Sequence, residues 1–566
     1  MKMPNTRDTH PEDPENLRHP PIARDRPEGL GSAQPTAHSL NPAASTFLIL
    51  TLAACGMAGL ISLLPAAGHD QMWLLYSARL ILHGAPIYGP QIFETNPPMI
   101  IWLSLPPAAA ASYLHVAETA MGKLFVVGLE CLIAFACLKL LRSLRAGFTQ
   151  NGLSRTILCW LAFVFITVFA VMPARDFGQR DHLLVLLCVP YVIAAALAVE
   201  GPPLATWFGA LIGAAALAGI AMKPHQLLIP IAVESTLVLL RLRKHEQHAA
   251  RSLLRPEFLA MVASGVAFLI AVCLYAPRYF AQVVPLARDT YWAFGQWGFG
   301  HLIAESIQLH ILAAVSLALF FAEGWRKASA LTSLLLAAGV ASLLAFYLQG
   351  TGWYYQQIPS LTFFALALSI LLIESAGRHA LTVPRWTPTA ALGLSALALG
   401  LTAHFTNYPF TAARSFPIDI PDPSFFTKLP PGTAVTTFST TVDYVMPPIY
   451  KYSLTLGERY PHLVMLPAIL RSEDPQGGRL QRHLTPARVA ELDAFQHAVM
   501  REDFVRWHPQ LVLVERCQDP AVHCQVLEDR HDDLLAWFLR DPGFRDIFSH
   551  YRYLRSSGPF DAYVLN

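Results

Sequence analysis

The stretch GHDQMWLLYSARLILHGAPIYGPQIFETNPPMIIW, Gly68 to Trp102, follows directly on the first long apolar run of the chain and carries an aspartate, a glutamate and a Pro-Pro pair. Acids and helix breakers are costly in hydrocarbon, so they read as a loop lying against one membrane face. Composition agrees. Of 566 residues 54% are hydrophobic and only 14% charged, where an ordinary soluble protein carries about a quarter. The formal net charge of +2 gives no sign of a nucleic-acid partner, and none is expected. What matters is where the positive residues lie.

Outward from that loop, apolar runs recur at the length that crosses a bilayer, about 20 residues. They are Ala43 to Leu64, Met121 to Leu141, Thr156 to Met172, Leu183 to Val199, Ala205 to Ala221, Gln226 to Leu240, Phe258 to Tyr275, Ile307 to Phe321, Ala328 to Leu348, Ile358 to Ile373 and Thr387 to His404. The expected fold class is therefore a polytopic α-helical membrane protein of about eleven transmembrane helices. Pro97 to Val116, broken by two Pro-Pro pairs, reads as a helix on the membrane surface. With the N-terminus inside, Arg142, Arg145, Arg155, Arg241, Arg243, Lys244, Arg251, Arg255, Arg326, Lys327, Arg378 and Arg385 all fall in inner loops. That satisfies the positive-inside rule and puts the C-terminus outside.

Three regions follow. Residues 1–42 are polar and Pro-rich, a disordered cytoplasmic tail; 43–404 form the membrane domain with its outer loops; 405–566 form an outer, periplasmic α/β domain. In that last region the apolar runs AVTTFST, LVMLPAIL and QLVLVER alternate with helical patterns at Pro486 to Trp507 and Asp529 to Leu539. Cys517 and Cys524 are close enough to pair in an oxidising compartment.

The polar groups collect at the outer face. Asp70 and Glu94 flank the first loop; PARDFGQRDH (Pro173 to His182) is the second; AMKPHQ places Lys223 and His225 in the third; Trp292, Trp297 and His301 lie in the fourth and Trp353, Tyr354 and Tyr355 in the fifth. Arg175, Arg180 and Lys223 offer fixed positive charge at headgroup depth, where the natural ligand is a lipid phosphate. Asp70 suits proton acceptance from an incoming hydroxyl.

In YSARLILHGAPIYG, FETNPPMIIW, MKPHQ, GWYYQQIP and the ending DPGFRDIFSHYRYLRSSGPFDAYVL, the order and sidedness of motifs resemble the C-class (GT-C) integral membrane glycosyltransferases, the superfamily of the aminoarabinose transferases and protein O-mannosyltransferases. The resemblance implies a transferase of the bacterial cytoplasmic membrane. It would pass a sugar from a polyprenyl-phosphate donor to a lipid, glycan or protein acceptor. Asp70 takes the place of the first-loop acid, and Asp176 or Asp181 that of the second-loop acid. Lys223, with Tyr355, sits near the lipid phosphate, and Glu94 with His301 would hold a divalent metal ion. The Thr95-Asn96 step after Glu94 and the Arg-rich second loop depart from the family pattern.

Plainer roles stand beside these. Asp70 as an N-cap of a helix starting at Gln71, the Arg175-Asp176 and Arg180-Asp181 steps as ion pairs, Lys223 as a snorkelling residue and the aromatics as an interfacial belt are all compatible with the pattern. So are Glu94 as a loop charge and His301 as a lone histidine. Two other function classes fit the composition: a flippase of lipid-linked saccharides, and a non-catalytic subunit of a polysaccharide assembly complex.

Overall fold

The computed structural model describes residues 67–144, 161–173 apart from 163, 176–379 apart from 247 and 296, 421–474, and 483–566 apart from 525, 528 and 529. The tail expected at 1–42, the spans expected at 43–64 and 387–404, the start of the span expected at 156, and Arg175 lie outside the described residues.

The helical part runs through α1 (His69–Leu82), α2 (Pro98–Leu114), α3 (Glu118–Ser143), α4 (Arg180–Glu200), α5 (Thr206–Met222), α6 (Leu228–Arg243), α7 (Pro256–Tyr275), α8 (Phe299–Glu305), α9 (Ile307–Ala322), α10 (Ala330–Gln349) and α11 (Ile358–His379). Among the described residues six helices are long and apolar enough to cross a membrane: α3, α4, α7 and α10, and α6 and α11 each with the short turn before it. The bent pair α8 and α9 would make a seventh. The run at Ile307 is thus one arm of an 88° break and not a straight span. Ser306 sits at the corner, with its hydroxyl donating to Leu302 O. The proline-interrupted run folds as one continuous helix, α2, with Pro98 in its first turn, where a missing N–H costs nothing. α1 begins one residue before Asp70, with Gly68 as its N-cap and no side-chain cap; Asp70 is therefore not the capping residue.

α4 is the axis of the bundle, with 89% of its apolar window buried against 11% for α7 on the rim. Small residues set the spacing around it. A Cβ at Gly213 of α5 would lie 1.9 Å from Glu257 O of α7, and one at Gly219 would lie 3.0 Å from Leu184 O of α4. Backbones approach this closely only where side chains are absent, the usual device between membrane helices. The basic ends of these helices gather away from the first loop: Lys244 Nζ donates to Val199 O at 3.2 Å, and Arg243 lies 4.2 Å over the Trp325 ring.

The second part is a five-stranded sheet of β1 (Ala434–Phe438), β2 (Thr455–Leu456), β3 (Leu511–Glu515), β4 (Tyr551–Ser557) and β5 (Phe560–Leu565), in the order β2-β1-β3-β5-β4. β1 is parallel to β2 and β3, and β5 is antiparallel to β3 and β4. Its helices are α12 (Met446–Lys451), α13 (Leu466–Glu473), α14 (Pro486–Trp507), α15 (Leu534–Phe538) and α16 (Pro542–Phe548). AVTTFST and QLVLVER hold strands. LVMLPAIL instead enters α13, with Pro467 in the first turn: a proline that would break a ladder is tolerated at a helix start. The helix expected from Asp529 shortens to α15, which Asp533 caps by accepting Ala536 N at 2.9 Å. Cys517 and Cys524 form a disulfide with Cα atoms 5.3 Å apart.

This sheet domain is seated on α1 and the loop after it. Tyr450 Oη donates to Met72 O at 3.2 Å and to Glu118 Oε2 at 2.7 Å. Leu456 N donates to Tyr76 Oη at 3.1 Å, and Phe93 N to Arg459 O at 2.9 Å. Trp73 and Tyr76 of α1 share an apolar cluster with Val435, Met446 and Leu456 of the domain.

Candidate active site

A cavity of about 430 Å³ opens between the helical part and the sheet domain. The first loop supplies its floor and is rigidly built. Gly84, at φ +91°, ends α1 in a conformation that suits glycine. At Gly89 a Cβ would meet Pro86 O at 2.7 Å. Tyr88, buried, donates from its hydroxyl to Asn96 O at 2.6 Å, and Arg278 holds Tyr88 O at 3.1 Å. These contacts fix the loop that carries Glu94.

Asp70, Glu94, Asp176, Arg180, His301, Tyr354 and Tyr355 all line the cavity. Arg180, at the first position of α4, approaches Asp70 Oδ2 at 3.7 Å, and its Cζ lies 6.0 Å from the Tyr355 ring centre. Lys223, His225 and Asp181 are not in the cavity wall. Lys223 Nζ pairs with Asp181 Oδ2 at 2.6 Å, both groups being buried, and lies 4.8 Å from the centre of the Tyr355 ring. The two aspartates of the second loop are thus sorted by geometry: Asp176 faces the cavity and Asp181 backs Lys223. His182, beside them, meets Glu130 at 3.4 Å.

The aromatics divide similarly. Trp297 and Trp353 line the cavity, His301 lying tilted against Trp297 with ring centres 4.2 Å apart. Trp292 is buried, donates to Asp289 O at 2.6 Å and packs on Ala468 of the sheet domain, so it is core. Tyr354 donates its hydroxyl to Met172 O, leaving its ring as wall.

Glu94 has little capacity left for a metal ion. Its Oε1 accepts Thr95 N at 2.7 Å, Asn96 N at 2.9 Å and the Asn96 amide, and its Oε2 accepts the Trp73 indole. An acceptor oxygen already filled by three donors makes a poor ligand. The sole group of three His, Cys, Asp or Glu ligand atoms brought together among the described residues is Glu515, Cys517 and Cys524, whose sulfurs are bonded to each other. The donor set around Glu94 and His301 does not fit a divalent ion.

Several cavity groups carry no motif. His69 lies between two carboxylates, Nε2 3.4 Å from Asp70 Oδ1 and Nδ1 against Asp443 Oδ1. Burial works against its charge, yet Asp443 and Asp70 together outweigh burial and push the imidazole up to about 9. His462, also in the wall, is pushed the other way by burial, down to about 4. Thr440, Thr441 and Asp443 come from the loop that leaves β1. Only His69, adjacent to Asp70 in the chain, had a local signal.

An acid held beside a fixed guanidinium, under a wall of aromatic rings, can accept a proton while an anion is held next to it. No family model and no curated protein sequence matches the chain. Among solved structures, ArnT from Cupriavidus metallidurans bound to undecaprenyl phosphate aligns at TM-score 0.53 and 13% identity, over 92% of this chain and 98% of that one. The same protein in the apo state aligns at TM-score 0.53 and 14% identity with the same coverage. At that identity the likeness is one of architecture, and over nearly its whole length this chain has an ArnT-like fold, the fold that the ordered motifs imply.

Proposed function

We propose that the chain is a membrane glycosyltransferase that takes a sugar from a polyprenyl-phosphate donor and passes it to an acceptor hydroxyl at the face carrying the sheet domain. The observation that carries this reading is the approach of Arg180 to Asp70 in the floor of the cavity. A neighbour of the same fold that holds undecaprenyl phosphate supports it. In the proposed step Asp70 takes the proton as the acceptor O–H bond breaks, and the acceptor oxygen bonds to the anomeric carbon. The bond from that carbon to the phosphate oxygen breaks with its electron pair left on the lipid phosphate. Arg180 holds that phosphate, while Lys223 packs against Tyr355. The gathering of basic residues at the opposite end supports an outward-facing, periplasmic cavity in the cytoplasmic membrane.

The test is incubation of the detergent-purified protein with a panel of synthetic polyprenyl-phosphate sugars, scoring release of free lipid phosphate. One donor should be consumed. Asp70→Asn should reduce turnover by about 10²- to 10⁴-fold with the melting profile kept. Near-normal transfer by that variant would refute the assignment.

A further inference from the structure

We infer that Asp443, a residue of the sheet domain, is a positioning residue for sugar transfer: through His69 it holds the Asp70 carboxylate aimed into the cavity. The inference rests on the transferase reading above and extends it across the domain boundary. His69 touches both carboxylates, one with each ring nitrogen. Asp443 is itself pinned. Its Oδ2 accepts Thr441 Oγ1 at 3.0 Å, and Thr441 N donates to Ser439 Oγ at 3.2 Å. Ser439 is anchored on the buried Glu515 at 2.7 Å. An unbroken series of contacts thus runs from the sheet to the membrane-face acid.

The charged and titratable groups facing His69 are Asp70 on its own helix, Asp443 from the domain, Asp176 from the second loop, and His462, with Arg180 acting on Asp70 from the far side. Three carboxylates around one imidazole favour its protonated form. A protonated His69 cannot take the acceptor's proton. It occupies Asp70 Oδ1 and leaves Oδ2, on the Arg180 side, to receive it. The proton therefore ends on Asp70, and no transfer to His69 is needed.

The experiment uses the full chain in detergent, as wild type, D443N, D443E, T441V and H69Q. Transfer rates are measured from pH 6 to 10, and the histidine imidazoles are titrated by nuclear magnetic resonance on histidine-labelled protein, H69Q assigning the His69 signal. In the wild type the His69 signal titrates, and turnover falls, near pH 9. D443N should move both at least one pH unit lower and cut kcat tenfold or more with little change in donor KM; D443E should restore both. A D443N protein that is slower but keeps its alkaline limb and its His69 titration would overturn the inference and leave Asp443 a packing residue. If D443N does not fold, T441V, which unpins Asp443 without removing it, is read in its place. A shift in the same direction supports the inference, and an unmoved His69 titration overturns it. Should the wild type release lipid phosphate from no donor, the transferase reading fails, and the His69 titration alone then decides whether Asp443 controls that imidazole.

Discussion

Replacing Glu515 by glutamine should make the protein more stable, and only above mildly acidic pH. Glu515 closes β3 with its side chain fully buried. Burial raises its carboxyl to about 7 from an ordinary 4.5, although Ser439 Oγ and the Thr440 amide pull downward as donors. The folded state therefore holds the proton more tightly than the unfolded chain does. Stability from this group is whole below pH 4.5 and is lost as the pH rises through 7. At about 1.4 kcal/mol per pH unit, the gap amounts to about 3 kcal/mol. Glutamine keeps an oxygen for Ser439 and never ionises. For a unit the size of the sheet domain the gain is roughly 5–10 °C in Tm. Thermal melts of wild type and Glu515→Gln in the same detergent and at one scan rate should coincide near pH 4.5 and separate by that amount at pH 8. Every other titrating group is common to both proteins, so the difference isolates this one. Equal separation at the two pH values, or a lower Tm for the variant at pH 8, would refute the reasoning.

Two further outcomes follow from the packing. Gly213→Ala places a methyl 1.9 Å from Glu257 O and 2.8 Å from Glu257 C; backbone atoms cannot rotate aside, so α5 and α7 must part, at about 1–3 kcal/mol. The detergent-solubilised variant should melt lower, and an unchanged Tm would show that the two helices are not in contact as described. The Cys517–Cys524 bridge closes a loop across a separation of seven residues, for which chain entropy gives about 2.5 kcal/mol. Reductant should lower the Tm of the wild type and leave that of the double serine variant unmoved; a wild type indifferent to reductant would contradict it.

Features encoded locally were legible in the sequence. The length of an apolar run is a local property, and it located α3, α4, α7, α10 and α11. Strand-like runs located β1 and β3. Asp70, Glu94 and Tyr355 were gathered by order of motifs and Arg180 by its charge at the outer face, and they do share a cavity. What escaped depends on a rotation or on a distant partner. Asp176 and Asp181 stand on either side of the start of α4, and the turn from Asp176 to Gln179 that precedes the helix leaves one in the cavity wall and the other against Lys223. The 88° break at Ser306, between α8 and the run expected from Ile307, has no marker in that run itself. Asp443 meets His69 through the docking of two domains, a pairing that a single sequence does not record. Glu94 carried a metal expectation, yet its neighbours Thr95 and Asn96, the residues that departed from the family pattern, supply the donors that fill it.

β5 lies between β3 and β4, although it is made after both. A ribosome threading this chain into the bilayer therefore releases the first loop long before the sheet can close. Until Phe560–Leu565 emerges and slots beside β3, the sheet that carries the β1 loop, and with it Asp443, is unfinished. Nascent chains, and any fragment that stops short of β5, would hold the helical half of the pocket beside a sheet that lacks its central antiparallel strand.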